Sequence, residues 1–378
     1  MNRAISRTLH DKIFSEERNG IDEGIYKLGD KFLTEVEMSD KYNVSRDTAS
    51  KVLKRLEFEG YIKRKKRVGA IVSAKETRRK DVVLGRSVIP VILPSNATNV
   101  VYEILAGAQD EAAKNDCVVT PYISSDGDTA VEKEIVEKVL DIDTKGVIVW
   151  NCDISSNRSV FSRLVAQNKQ LVFLDSRKIG FMAPLISSDN QKAMRDLVSY
   201  LCDMGHKDIA FYTVSLNEAP AVAGRFTGYV EALAARNIML KDEYVIEFPR
   251  LINESIRDNP HIETAAKNAS DALRGLMSLP TPPTVVICAN DLYAITLMNE
   301  AINMGMSIPT DLSITGFDNQ QFCEYAQVPI TTMAQDFKAM GAKAVEVIQL
   351  MQQGEKIEND YTFDAVLVER RSVKNLNA

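Results

Sequence analysis

From Val88 to the end of the chain, short apolar runs alternate with amphipathic stretches, and that alternation leaves few folds open. SVIPVIL is followed by VYEILAGAQDEAAKND, VVTPYIS by TAVEKEIVEKVLD, and GVIVW by VFSRLVAQN, with QLVFLD closing the series. The theme then restarts through MRDLVSYLCDMG, DIAFYTVS, RFTGYVEALAARN, YVIEF, ASDALRGLMSL, TVVICAN, LYAITLMNEAINMG and LSITGFD. Short apolar runs separated by helices of about 10–15 residues read as βαβ units of parallel sheet. There are enough strands for two sheets. The restart after Asp175-Ser176 predicts two similar doubly wound lobes with a cleft between them.

The first part of the chain has a different grammar. Leu28 to Val72 reads as a short helix, a turn at Tyr42-Asn43-Val44, a second helix from Ser45, and a basic hairpin punctuated by Gly69. That order is a winged helix-turn-helix. A helix over Ile5–Glu17 precedes it, with Ile5, Leu9, Ile13 and Phe14 facing inward. Thr34 is the expected N-cap of the next helix, with Glu37 completing a capping box. Ser45 is the expected N-cap of the recognition helix, whose Val52, Leu53 and Leu56 face the core. Thr34, Glu35, Ser45, Arg46, Thr48, Lys51 and Lys54 are the candidate DNA contacts of the helical part. An Arg at a helix start can pair with the O6 and N7 edge of guanine in the major groove. The wing carries Lys63 to Arg67 as five consecutive basic residues. Its Lys65, Lys66, Arg67 and Gly69 suit the minor groove or flanking phosphates.

Charge divides the chain in the same place. Residues 1–80 hold 20 Lys and Arg against 13 Asp and Glu, whereas the remainder holds 26 against 39. A basic end is the footprint of a polyanion binder, and an acidic body is not. The organisation is therefore residues 1–74 as a DNA-binding domain, 75–87 as a charged linker, and 88–378 as a two-lobed effector-binding and dimerisation domain. The five cysteines are scattered without a C-x-x-C pair, and the three histidines lie far apart, so neither a disulfide framework nor a metal centre is expected. No cofactor is expected. The polar opening MNRAISRTLHDKIFSEERNG is unlike a signal peptide and no apolar run is long enough to span a bilayer, so the expected location is cytoplasmic.

In doubly wound lobes a ligand sits at the carboxyl ends of the strands, so residues just after strands are the candidates. These are Asn96 and Asn99 in the loop after the first strand, Trp150 and Asn151 after GVIV, and Asp175 after QLVFL. In the second lobe they are Asn290 after TVVICA and Asp318 after LSITGF, with Arg225 opening GRFTGYVEAL. Acids, amides and one Arg suit a polyhydroxylated ligand, since each pairs with adjacent hydroxyls. Trp150 or Phe181 offers a ring to stack on a sugar face. Asp291 and Asp189 are expected to serve as helix caps.

VSRDTASKVLKRLEFEGYI, preceded by LTEVEMSDKY, resembles the GntR-type winged helix over about 65 residues, which implies DNA contacts at Glu35, Arg46 and Thr48. LVSYLCDMGHKDIAFYT, GRFTGYVEAL, VICANDLYAITLMNEAINMGMSIPTDLSITGFDN and TTMAQDFKAMGAKAVEVI, in that order, are similar to the LacI/GalR effector-binding core. That resemblance covers Val88 to the end and implies a type I periplasmic-binding-protein-like fold, with Arg225, Asn290 and Asp318 on the sugar. It also implies that the first sheet takes strands back from near residues 316–332. The expected function is a ligand-controlled transcriptional regulator, a repressor acting as a homodimer on double-stranded operator DNA, with a sugar effector. The alternatives are a sugar-binding protein of transport or chemoreception type, or an activator. The chain has no G-x-S-x-G and no phosphate loop of the G-x-x-x-x-G-K-[ST] form, and is not expected to be an enzyme.

Overall fold

The computed structural model describes residues 9–22, 24–27, 29–58, 60–65, 69–73, 87–94, 98–124, 128–216, 219–248 and 260–378. They form two compact units, Met1–Asp81 and Val82–Ala378. Among the described residues no helix is long and apolar enough to cross a membrane.

The first unit holds α1 (Leu9–Asp22), α2 (Glu35–Tyr42), α3 (Arg46–Phe58) and the antiparallel pair β1 (Ile62–Lys65) and β2 (Gly69–Val72). An isolated bridge from Lys31 to Ile71 adds a third edge to the hairpin. The Thr34 capping box starts α2, and Asn43, left-handed at φ 48°, ends it. The Ser45 hydroxyl accepts from the Thr48 amide at 3.2 Å and so starts α3 as expected. Val52, Leu53 and Leu56 of α3 are buried with Ile13, Phe14, Phe32 and Met38. The helix expected to stop at Glu17 runs on to Asp22. Glu17 is buried, and its Oε1 accepts from Lys41 Nζ at 2.8 Å and Tyr42 OH at 2.7 Å, which ties α1 to α2. Ile5 lies outside the described residues.

The second unit runs β3 (Ser87–Pro94), α4 (Thr98–Lys114), β4 (Cys117–Ser124), α5 (Thr129–Leu140), β5 (Gly146–Val149), α6 (Arg158–Ala166), β6 (Gln170–Leu174), β7 (Leu185–Ser188), α7 (Asn190–Asp203), β8 (Ile209–Val214) and α8 (Pro220–Ala235). It continues β9 (Val245–Phe248), α9 (Pro260–Met277), β10 (Val285–Cys288), α10 (Asp291–Asn303), β11 (Ser313–Phe317), α11 (Phe322–Tyr325), β12 (Thr331–Ala334), α12 (Phe337–Gln353), β13 (Asp360–Phe363) and β14 (Val366–Val368). Two six-stranded sheets result, in the orders β13-β7-β6-β5-β3-β4 and β14-β12-β11-β10-β8-β9. Every pairing is parallel except β12 with β14. Each sheet has helices on both faces: α4 and α12 against α5 and α6 on the first, α7 and α8 against α9 and α10 on the second. That double coverage explains why the strands read as unbroken apolar runs.

Two expectations are corrected here. The strand returned to the first sheet is β13, paired with β7, whereas residues 313–317 and 331–334 stay in the second sheet. The lobes change over after Ser188, not after Asp175-Ser176, because β7 still belongs to the first sheet. The returning element of most weight is α12. Asp336 caps it by accepting from the Ala339 amide at 2.9 Å, and its Phe337, Met340, Ala344, Val345 and Ile348 are buried in the first lobe. Gly107 of α4 and Gly341 of α12 let the two helices touch: a Cβ on either would collide with a backbone carbonyl of the other. The chain therefore crosses between lobes three times, at 188–190, 334–337 and 363–366.

Candidate functional site

The exposed side of α3 presents Arg46, Lys51 and Lys54, with Thr48 half-buried beside them. Ser45 Oγ and Thr48 Oγ1 are 2.9 Å apart, so both hydroxyls also serve the helix start. Lys51 pairs with Asp47 at 2.7 Å across one turn, and the lysine holds the Asp47 carboxyl below its ordinary range. Glu35 accepts from Ser50 Oγ at 2.9 Å, which joins α2 to α3 and fixes their angle. Thr34 likewise works in the capping box. Gly69 has φ 93°, a left-handed conformation that lets β2 start directly opposite Lys65. Lys66 and Arg67 lie outside the described residues, as does Asn96 of the body.

In the body, six of the predicted effector residues line one cavity of about 220 Å³ at the strand ends of the two sheets: Trp150, Asn151, Asp175, Arg225, Asn290 and Asp318. Arg225 is 5% exposed. Its Nε donates to Asn190 Oδ1 at 2.8 Å, its Nη1 donates to the Ala289 carbonyl, and its Nη2 lies 3.6 Å from Asp318 Oδ1. The guanidinium stacks on the Phe317 ring at 3.7 Å. Burial disfavours its charge and lowers its pKa on balance, with the carboxylates of Asp318, Asp175 and Asp291 working against that. Asp318 has φ 106°, outside the comfortable regions for a residue with a Cβ. Its Oδ1 accepts from Gln335 Nε2 at 2.6 Å. Burial, helped by Asp291 and Asp175, pushes the Asp318 carboxyl up to about 7 against the pull of Arg225 and of the Gln335 hydrogen bond.

Asn290 caps α10, its Oδ1 accepting from the Tyr293 amide at 3.0 Å, and it still faces the cavity. The cap expected at Asp291 is thus one residue earlier. Asp291 is fully buried instead, with Oδ1 accepting from Thr332 Oγ1 and Oδ2 from the Gln320 amide, both at 2.6 Å. Burial pushes it up to about 6. Asp189 does cap α7, through the Lys192 amide at 2.9 Å.

The first lobe's wall is the loop that follows β5. Asn151 Nδ2 donates to the Ser176 carbonyl at 2.7 Å, and its Oδ1 is buried without a partner among the described residues. Asp153 accepts from the amides and hydroxyls of Ser155 and Ser156; burial works against its ionisation, but these four bonds outweigh it and hold the carboxyl down at about 2. Behind this loop lies an ion pair, Lys178 with Glu132 at 3.3 Å, both fully buried. Lys178 Nζ also donates to the carbonyls of Asp153 at 2.6 Å and Ser156 at 3.0 Å. Glu132 accepts from the Cys152 amide and from Asn157 Nδ2, each at 2.8 Å. The pair fastens the loop at four points without lining the cavity.

Asn99, in the first turn of α4, does not line the cavity, although its neighbour Val100 does. Phe181 packs with Phe161 and Phe173 inside the first lobe and offers no ring to the cleft. Sequence reasoning missed Tyr293, Gln320, Gln335 and Phe337, all on the cavity wall. Gln335 and Phe337 follow β12, a strand too short and polar to be seen as a run. Tyr293 lies in the first turn of α10, past the end of β10.

Two known families match this chain. Residues 9–72 match the gntR family of bacterial regulatory proteins, and residues 198–373 match a periplasmic binding protein-like domain. The chain is 27% identical over 341 residues to the HTH-type transcriptional repressor CytR of Escherichia coli K12, across 88% of this chain and 89% of that protein. It is 23% identical over 362 residues to the arabinose metabolism transcriptional repressor of Geobacillus stearothermophilus, across 93% and 94%. Its fold is similar to that of a LacI family transcriptional regulator from Enterococcus faecium with bound ribose, with TM-score 0.62 and 21% identity, over 77% of this chain and all of that one. The chain thus joins a segment that matches the gntR family of bacterial regulatory proteins to one that matches a periplasmic binding protein-like domain.

Proposed function

We propose that this regulator represses carbohydrate-use genes, binding operator DNA through α3 and the wing as a homodimer and responding to a sugar held between the lobes. Residues 1–74 would be the DNA-binding domain, 75–87 the linker, and 88–378 the effector and dimerisation domain, in the cytoplasm. The observation that carries this is the convergence of Arg225, Asp318, Asn290, Asn151, Asp175 and Trp150 on one cavity, in a chain that also carries a helix-turn-helix. The resemblance to an arabinose repressor, and to a regulator solved with ribose, supports a sugar and puts arabinose among the candidates. Two heads on a pseudo-palindrome would raise affinity through effective concentration. Sugar changes DNA affinity only if one conformation binds it better, and couplings of about 1–3 kcal/mol, roughly 5–150-fold, are usual.

The test has two arms. Thermal shift of the full chain against pentoses, hexoses and arabinose-containing oligosaccharides should reveal a selective rise in melting temperature, by linkage. DNA selected from a random pool by the full chain, then titrated by fluorescence anisotropy, should bind in a sugar-dependent way. Arg46→Ala should weaken that binding by about 1–3 kcal/mol and relax sequence preference, while sugar still raises the melting temperature. A selected site bound identically with and without every sugar would remove the effector reading.

A further inference from the structure

Resting on the cleft as the effector site, we propose that its ligand is a compact, polyhydroxylated molecule without negative charge, and that phosphorylated and carboxylated forms of the same molecule are excluded. Three features of the wall point this way.

The first is charge. Among the described residues the cavity is lined by the acids Asp153, Asp175 and Asp318, the last only part-charged at neutral pH, and by one cation, Arg225. That guanidinium is already committed to Asn190, to the Ala289 carbonyl and to Asp318, and its face is covered by Phe317. No lysine lines the cavity among the described residues. A phosphate ester carries about −1.5 to −2 at neutral pH and is held by cations or by clustered backbone amides. Here it would meet an excess of like charge at short range, where the low dielectric of a cleft strengthens repulsion.

The second is donor and acceptor type. The carboxylates of Asp153 and Asp175 only accept hydrogen bonds, and the buried Asn151 Oδ1 is an acceptor without a partner among the described residues. Its orientation is fixed, because Nδ2 must be the atom that donates to the Ser176 carbonyl. An acceptor-rich wall is satisfied by a ligand that brings O–H donors. Hydroxyls do so, whereas an ionised phosphate or carboxylate brings only more acceptors.

The third is the state of the helix starts facing the cleft, where an anion would otherwise settle on free amides. At α10, Asn290 takes the Tyr293 amide, and the buried carboxylate of Asp291 already sits against the positive end of the helix. At α8, the first helical position is Pro220, which has no N–H, so that start offers an anion one amide fewer. Trp150, Tyr293 and Phe337 supply rings for the C–H face of a neutral sugar.

The experiment is isothermal titration of the full chain with matched pairs: L-arabinose and arabinose 5-phosphate, D-ribose and ribose 5-phosphate, and D-glucose with glucose 6-phosphate, glucuronate and glucosamine. The expected result is a neutral sugar that binds at least about 100-fold tighter than its anionic partner, with the gap narrowing as salt rises. Asp175→Asn should narrow it by about 10-fold at low salt. The salt series on the unaltered chain carries the same information if that variant does not fold. An anionic form that binds as tightly as its neutral parent, or glucosamine binding no tighter than glucuronate, would overturn the proposal while leaving a sugar-binding cleft in place. If no compound of any charge binds, the effector reading itself fails and the proposal falls with it.

Discussion

In the second lobe the cleft residues are themselves part of the packing. Arg225 stacks on Phe317 and bonds a backbone carbonyl at the end of β10, and Asp318 is held by Gln335 and Arg225. In the first lobe the cleft residues ride on a loop, and what holds the loop is a buried ion pair that never reaches the cavity. One wall is therefore held together by its own cavity residues, the other by residues behind them. The difference teaches that ligand affinity and fold stability should be inseparable on one side of the cleft and separable on the other.

The largest expected effect breaks the first lobe's support. Lys178→Met leaves Glu132 buried and uncompensated, facing the Cys152 amide and Asn157 alone. Removing one partner of a buried pair costs about 3–5 kcal/mol, whereas replacing both by apolar residues of similar size is often near neutral. The single variant should melt many degrees lower, and Glu132→Leu with Lys178→Met should recover most of that loss. The recovered double variant should still bind sugar more weakly, because the loop carrying Asn151 is no longer fastened. If the double variant melts as low as the single, the pair is not what supports the wall.

Next in size is Arg225→Ala. It removes a proposed ligand contact from the cavity wall and leaves Asp318 without its counter-ion in a buried site, so both sugar affinity and melting temperature should fall, the former by more than about 100-fold. A variant that lost sugar binding at unchanged melting temperature would separate the two roles and contradict the comparison. Asn151→Ala, on the other wall, should lower affinity with a much smaller thermal cost.

Much of this was legible. The strand-end rule found five cavity residues, because the ends of β5, β6, β10 and β11 can be read directly from their buried runs, and Arg225 came from the helix motif GRFTGYVEAL; Thr34, Glu37 and Ser45 follow local capping chemistry. Lys178 and Glu132 were not legible, since a lysine in a loop and a glutamate in an amphipathic helix look like solvated charges until the fold buries them. The return of α12 and β13 to the first lobe was equally hidden. It depends on long-range contact, Gly107 against α12 and Gly341 against α4, and no local pattern reports it. Phe181 shows the converse error, a ring near the right strand end that the core claimed.

A smaller effect comes from pH. Burial lifts Asp318 to about 7, so the folded protein binds that proton more tightly than the unfolded chain does. The stabilisation is full below the ordinary carboxyl range, near 4, and is lost as pH rises through about 7. Wild-type melting temperature should therefore fall from pH 5 to 8 relative to Asp318→Asn. The comparison with the variant matters because Asp291, lifted to about 6, contributes in the same direction. Arg225, Asp175 and Gln335 face the same carboxyl and are unchanged in that variant. Sugar affinity should move the other way and weaken by about 10-fold from pH 8 to 6, because hydroxyls donate to the ionised form. A flat profile would mean that the sugar does not use Asp318 as an acceptor.

The smallest expected effect concerns the crossovers. Asn190 and Gln335 each lie on a segment that passes between the lobes, and each bonds a charged cleft residue, Arg225 or Asp318. A rotation of the lobes about these segments would be felt at the ligand through those bonds, and ligand contact would be felt at the segments. Gln335→Ala removes one hydrogen bond to a charged group, worth about 1.5–3 kcal/mol where it is fully made, and less where the ligand's hydroxyls take its place. Sugar affinity should then drop by no more than about 5-fold. The ratio of DNA affinities with and without sugar should shrink further than that drop explains once sugar is saturating, because coupling depends on the difference between states rather than on occupancy. Equal ratios in wild type and variant at saturating sugar would place the coupling elsewhere, in the body of the second lobe, where Arg225 already joins ligand, core and strand end in one side chain.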